Sequence, residues 1–173
     1  MPSSYQAPTR GDKARDTHVS QSTDSNLAQE TATVQKLLSQ KGGDIFTIRP
    51  QDTLANAVQA LRDKRIGALL VTDQDGMLKG ILSERDIVRK LAETPGQTLP
   101  QTVAENMTSN VVSCAPGDTL VSVLRRMTDG KFRHMPVLED GKLCGMVTVG
   151  DVVNFRLNEL EYEALKLKQM IVG

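Results

Sequence analysis

Two stretches of the chain carry the same alternation of apolar and polar positions. Leu54, Ala57, Val58 and Leu61 fall at the i, i+3, i+4, i+7 spacing of one helical face, and Leu120, Val123, Leu124 and Met127 repeat it 66 residues later. A short apolar run precedes each face, residues 45–48 and 111–114, and reads as a strand stopped by Pro50 or Pro116. Asp52 and Asp118 stand where they can N-cap the two helices. Behind each helix come two more apolar runs, 66–72 with 77–82 and 132–138 with 142–147, joined by Asp-Gly turns that favour tight hairpins. Ser83 and Thr148 then open a second helix.

The similarity extends to identities. Pro50-Gln51-Asp52-Thr53-Leu54 matches Pro116-Gly117-Asp118-Thr119-Leu120, and after a one-residue deletion Gly80-Ile81-Leu82-Ser83-Glu84-Arg85-Asp86 matches Gly145-Met146-Val147-Thr148-Val149-Gly150-Asp151. The chain is a tandem repeat of an α/β unit, strand-helix-strand-strand-helix. One unit is too small to bury an adequate core, so two packed units are expected. The predicted division is 1–26, a disordered tail poor in large apolar residues; 27–95, the first repeat with a leading helix; 96–156, the second repeat; and 157–173, a C-terminal helical extension. In the leading helix Leu27, Val34, Leu37 and Leu38 share a face that ends at Gly42 and Gly43. The last helix, 149–171, carries Val153, Leu157, Leu160, Ala164, Leu167 and Ile171 at alternating spacings of four and three, a coiled-coil-like seam. Packing on its own module and exchange with a partner subunit are both open readings of that seam.

Composition narrows the functions. The 21 Lys and Arg equal the 21 Asp and Glu, and aromatic residues make up 3% of the chain, so neither a broad polyanion-binding face nor a stacking platform for single strands is expected. No apolar run approaches the length of a membrane span and no secretory leader pattern opens the chain, which points to the cytoplasm. Arg10, Lys13 and Arg15 suggest an organelle transit peptide, but Asp12, Asp16 and Asp24 offset them. Cys114 and Cys144 lack metal-ligand spacing and read as buried small hydrophobes. No metal site is expected.

The repeat resembles a pair of CBS motifs, a Bateman module, over roughly residues 33–156. The motifs that carry the resemblance are Met107-Thr108-Ser109-Asn110-Val111-Val112, the paired Pro-x-Asp-Thr-Leu helix entries, Arg133-His134-Met135-Pro136-Val137 and the paired Gly-x-x-Ser/Thr-x-x-Asp turns. It implies two half-sheets related by a pseudo-two-fold axis, two clefts that commonly bind AMP, ADP, ATP, NAD or S-adenosylmethionine, and a homodimer shaped as a flat disc.

Ser83-Glu84-Arg85-Asp86 has two readings. It is a capping box, and it is also a helix N-terminus with a hydroxyl and a carboxylate suited to phosphate and ribose. Carried over from the resemblance, one cleft combines Ser83, Arg85 and Asp86 with Asn110, Val112, Ala115, Arg133 and His134, and has cations for phosphate. Arg133 and His134 alternate along a strand, so only one of them is expected to face the cleft squarely. The other cleft combines Thr148 and Asp151 with Asp44, Ile48, Gly67 and Ala68; it has almost no cations and is expected to be empty or to take a less charged adenosine moiety. The expected function is a regulatory ligand-sensing module that binds an adenine nucleotide or NAD(H) and signals to an effector protein, with no catalytic residue. Only about 20 ordered residues lie outside the pair, too few for a separate catalytic set, so a stand-alone pair is expected. The alternative is a structural or protein-interaction module with vacant clefts.

Overall fold

The apolar spacing places the helices correctly, and Ser83 and Thr148 cap the second helix of each copy as expected, but the first helix of each copy is capped one position later than expected. Helix α1 spans Val34–Lys41, and α2 (Leu54–Lys64) lies between two short parallel strands, β1 (Thr47–Ile48) and β2 (Ala68–Thr72). β2 pairs antiparallel with β3 (Leu78–Ser83), giving a sheet of order β1-β2-β3, and β3 runs directly into α3 (Glu84–Glu93). The second copy follows a one-turn helix α4 (Val103–Asn106) and consists of α5 (Leu120–Gly130), the antiparallel pair β4 (His134–Glu139) and β5 (Lys142–Thr148), and the long helix α6 (Val149–Val172). The computed structural model describes residues 32–173; the expected tail, its charged residues and Leu27 lie outside them.

Thr53 and Thr119, not Asp52 and Asp118, are the N-caps of α2 and α5, their hydroxyls accepting from the backbone N–H of Asn56 and Ser122. The aspartates close the preceding turn instead. Asp52 accepts from the N–H of Arg49 at 3.0 Å and Asp118 from that of Ala115 at 3.1 Å, so each carboxylate is already committed when the helix starts. The expected strand at 111–114 is also absent. Only Cys114 pairs, as an isolated parallel bridge to Val137, so the second sheet has two strands where the first has three. In the first copy the strand is shorter than expected, two residues rather than four.

Two aliphatic cores result. One gathers Ile48, Leu54, Ala57, Leu61, Leu69, Val71, Leu82, Ile87 and Val103; the other gathers Leu120, Val123, Met127, Met135, Val137, Val147, Val152 and Phe155 with Ala32, Val34 and Leu37. Each fully buried Val or Leu contributes about 1.5–3 kcal/mol. Val58, expected on the buried face of α2, is exposed.

The leading segments are exchanged. α1 precedes the first repeat yet packs in the second core, and α4 precedes the second repeat yet supplies Val103 to the first. The backbone contacts match one for one. Val34 N–H donates to the carbonyl of Asp118 and Gln35 N–H to that of Pro116, both at 2.9 Å, while Val103 donates to Asp52 at 2.8 Å and Ala104 to Pro50 at 2.9 Å. The two marginal units are thereby tied through each other's leaders.

Candidate functional site

Where β3 meets α3, the backbone N–H of Ser83 donates to Asp86 Oδ2 at 3.0 Å, its hydroxyl donates to the same oxygen at 2.6 Å, and Asp86 N–H returns a bond to Ser83 Oγ. This is a complete capping box that uses only one carboxylate oxygen. Oδ1 has no hydrogen-bond partner among the described residues, which leaves an acceptor for an incoming hydroxyl.

The turn opens onto a cleft of about 230 Å³ between the two repeats. Of the eight residues expected at the first site, Ser83, Arg85, Asp86, Asn110, Val112, Arg133 and His134 line it, and both Arg133 and His134 reach it rather than one. Ala115 does not; its N–H is held by Asp118 in the turn before α5. Four cations border the cleft, Arg85, Arg89, Lys131 and Arg133, against the carboxylates of Glu84 and Asp86. Sequence reasoning missed Arg89 and Lys131. Arg89 was within reach of it, one helical turn beyond Arg85 on the same face. Arg85 also bridges the repeats, its Nη1 donating to the Lys131 carbonyl at 3.1 Å.

His134 packs against the first repeat at Gly67. A Cβ on Gly67, its neighbour from the first repeat, would come within 3.2 Å of His134 Nε2, so the bare glycine makes room for the ring. Burial lowers the His134 pKa from its ordinary value of 6.5; Arg133 and Lys41 push it the same way, while Glu84 and Asp151 oppose.

The linker that walls the first cleft lies along β3. Ile81 and Thr108 exchange backbone hydrogen bonds at 3.0 and 2.9 Å, and Met107 rests on Gly80, where any Cβ would meet its sulfur at 2.6 Å. Past Asn106 the chain is no longer helical, and Asn110 and Val112 stay exposed at the cleft.

The second cleft is built differently. Thr148 and Asp151 form the matching capping box, with Thr148 N–H donating to Asp151 Oδ2 at 2.9 Å. The expectation that this cleft has almost no cations is corrected by Lys41. Its ammonium donates to the same oxygen of Asp151 at 2.5 Å and to the carbonyl of Met146 at 2.9 Å. The reason is the exchanged leader. Leu38 rests on Gly145 as Met107 rests on Gly80, but α1 stays helical through Lys41, and from that last turn Lys41 reaches Asp151. Of the remaining residues expected there, Ile48 and Ala68 are buried in the fold, Gly67 lines the first cleft, and Asp44 is exposed on the loop after α1.

Cys114 is buried and its thiol is pushed up to about 11 by that burial, so it stays protonated at neutral pH. Cys144 is only partly buried, contrary to expectation, and hydrogen-bonds through its sulfur to the Val137 carbonyl. Among the described residues no group of three or more His, Cys, Asp or Glu is placed to hold a metal ion, and no helix is long and apolar enough to cross a membrane.

Residues 35–93 and 102–158 each match the CBS domain. Among curated relatives, the mitochondrial CBS domain-containing protein CBSX3 of Arabidopsis thaliana is 30% identical over 152 residues, spanning 83% of this chain and 74% of that protein. The chain spans only 22% of another relative from that plant, CBSCBSPB5, at 31% identity over 71% of this chain. Among solved structures, the CBS-domain containing protein ATU1752 from Agrobacterium tumefaciens superposes with a TM-score of 0.71 at 42% identity, over 72% of this chain and 99% of that one. The CBS domain pair of protein MJ0100, solved in complex with 5′-methylthioadenosine and S-adenosyl-L-methionine, gives a TM-score of 0.66 at 25% identity, over 75% of this chain and 98% of that one.

Proposed function

The chain belongs to the CBS-domain proteins, and from that premise we propose that it is a regulatory module whose first cleft senses an adenosine-containing ligand bearing phosphate: AMP, ADP, ATP or NAD(H). The observation that carries this reading is the free Oδ1 of Asp86 at the mouth of a cleft bordered by four cations. The carboxylate accepts from ribose hydroxyls, and the helix N-terminus with Arg85 and Arg133 offsets the phosphate charge. The adenosyl ligands of the MJ0100 pair support the ligand class.

A signal needs ligand contacts that differ between two states. Arg85 supplies one. Without ligand its guanidinium ties α3 to the Lys131 carbonyl of the other repeat, and a phosphate in the cleft competes for the same donor. Binding thus exchanges a contact between the repeats for a contact to the ligand, and the altered packing is passed to an effector protein. The second reading, a structural module with vacant clefts, draws on the Lys41 contact that already occupies Asp151.

Calorimetric titration and thermal shift with AMP, ATP, NADH and S-adenosylmethionine separate the two. Sensing predicts saturable binding of the phosphate-bearing ligands and a stabilisation of about 2.7 kcal/mol at a hundredfold excess over Kd. No heat and no shift with any of the four at millimolar concentration overturns it.

A further inference from the structure

The outer half of α6 has no cover. Every residue from Leu160 onward is exposed, so about 20 Å of helix stands clear of both cores. The inward face, Val152 and Phe155 with Glu159 paired to Lys36 at 3.2 Å, ends at Glu159. The seam beside and beyond it is open to water: Leu157 is 52% exposed, Leu160 45%, Leu167 61% and Ile171 83%. A helical segment of that length is marginal by itself in water, and one with an apolar seam is stabilised chiefly by burying that seam.

We propose that a second copy of this chain covers the seam, the two α6 helices pairing in parallel and in register as a short coiled coil. Leu157, Ala164 and Ile171 then occupy a positions, and Leu160 and Leu167 occupy d positions. The flanking charges choose the orientation. In a parallel pair each g residue faces the e residue five positions later on the other helix. Here Arg156 meets Glu161 of the second copy and Glu163 meets Lys168, opposite charges at both steps and on both sides of the dyad. In antiparallel registers e faces e and g faces g. The best of these joins only Glu161 to Lys168 while Glu163 meets Met170, and another sets Glu161 and Glu163 each against its own copy. The occupant that satisfies the seam and its flanks together is therefore the same helix in parallel. Ala164 at the central a position lets the helices approach closely there.

The full chain carrying Ala164→Cys tests this through mild oxidation. A parallel pair places the two new thiols opposite each other, so a disulfide-linked dimer accumulates well above the wild-type background from Cys114 and Cys144, whereas Tyr162→Cys, on the outer face, does not cross-link above that background. Added to Ala164→Cys, Leu167→Glu abolishes the cross-link. Glu163→Lys or Lys168→Glu slows it about fivefold near the dimer Kd, and the two together restore it, because the pairs re-form between copies. These side chains are exposed, and thermal melts of each variant verify that the cores are intact. Absence of the Ala164→Cys dimer, equal cross-linking at Tyr162→Cys, or indifference to Glu163→Lys overturns the proposal.

Discussion

The two clefts are heads of the same helical turn, and they differ in what the exchanged leader lays over the carboxylate. At Asp86 the leader leaves the helix after Asn106 and runs beside β3 as an open wall, with Arg85, Arg89, Lys131 and Arg133 around the space. At Asp151 the leader remains helical for one more turn and brings the Lys41 ammonium onto the carboxylate. The turns share their hydroxyl and carboxylate, but Glu84 and Arg85 of the first stand where the second has Val149 and Gly150. The difference arises from those residues together with how far a helix from elsewhere continues, so two sites with matching motifs need not offer matching chemistry.

The largest contrast is expected from the two carboxylates. Asp86→Ala weakens AMP binding about 30-fold, the loss of a charged hydrogen bond of roughly 2 kcal/mol, while Asp151→Ala weakens it less than about threefold. Both substitutions remove a capping box and lower stability by a similar ~1 kcal/mol, so paired thermal melts and titrations separate folding from binding. Equal losses of affinity would break the comparison. Arg133→Ala follows, with AMP about tenfold weaker and uncharged 5′-methylthioadenosine little changed in the same titration. A uniform loss for both ligands would mean that Arg133 does not read phosphate.

How much of this difference was legible follows from the kind of signal each part leaves. The repeat, the hairpins and the capping boxes are local, set by i, i+3, i+4 spacing and by Ser or Thr three residues ahead of Asp, and they can be read from neighbouring residues. The cations Arg85 and Arg133 emerge from aligning the copies at the main offset of 66, which becomes 65 past the one-residue deletion. Lys41 does not, because its counterpart Asn110 lies 69 residues on, as Val103 lies 69 beyond Val34. The exchange of leaders is a tertiary event, carried in sequence only by two short stretches, Thr33-Val34 and Thr102-Val103. The missing strand at 111–114 has a related cause. That segment serves as cleft wall, so Val112 stays exposed and only Cys114 reaches a strand partner.

A smaller effect is expected from the lysine itself. Lys41→Ala removes a half-exposed ion pair worth less than about 1 kcal/mol but frees Asp151, and the stoichiometry of adenosine or 5′-methylthioadenosine rises from one toward two per chain. A stoichiometry that stays at one would mean that Lys41 is not what closes the second cleft. The smallest effect is that of His134, which lines the Asp86 cleft. Its pKa is lowered in the fold, so the unfolded chain binds the proton more readily; stability is full above about pH 6.5 and declines as pH falls below it. His134→Gln flattens that decline in urea unfolding measured from pH 7.5 to 5.0, and an unchanged slope would assign it to other groups.

The inequality of the clefts is tested most directly by the number of AMP molecules that the unmodified chain takes up in calorimetric titration. One per chain is predicted, with the nucleotide in the Asp86 cleft. Two equivalent molecules per chain would contradict it, as would binding that survives Asp86→Ala undiminished.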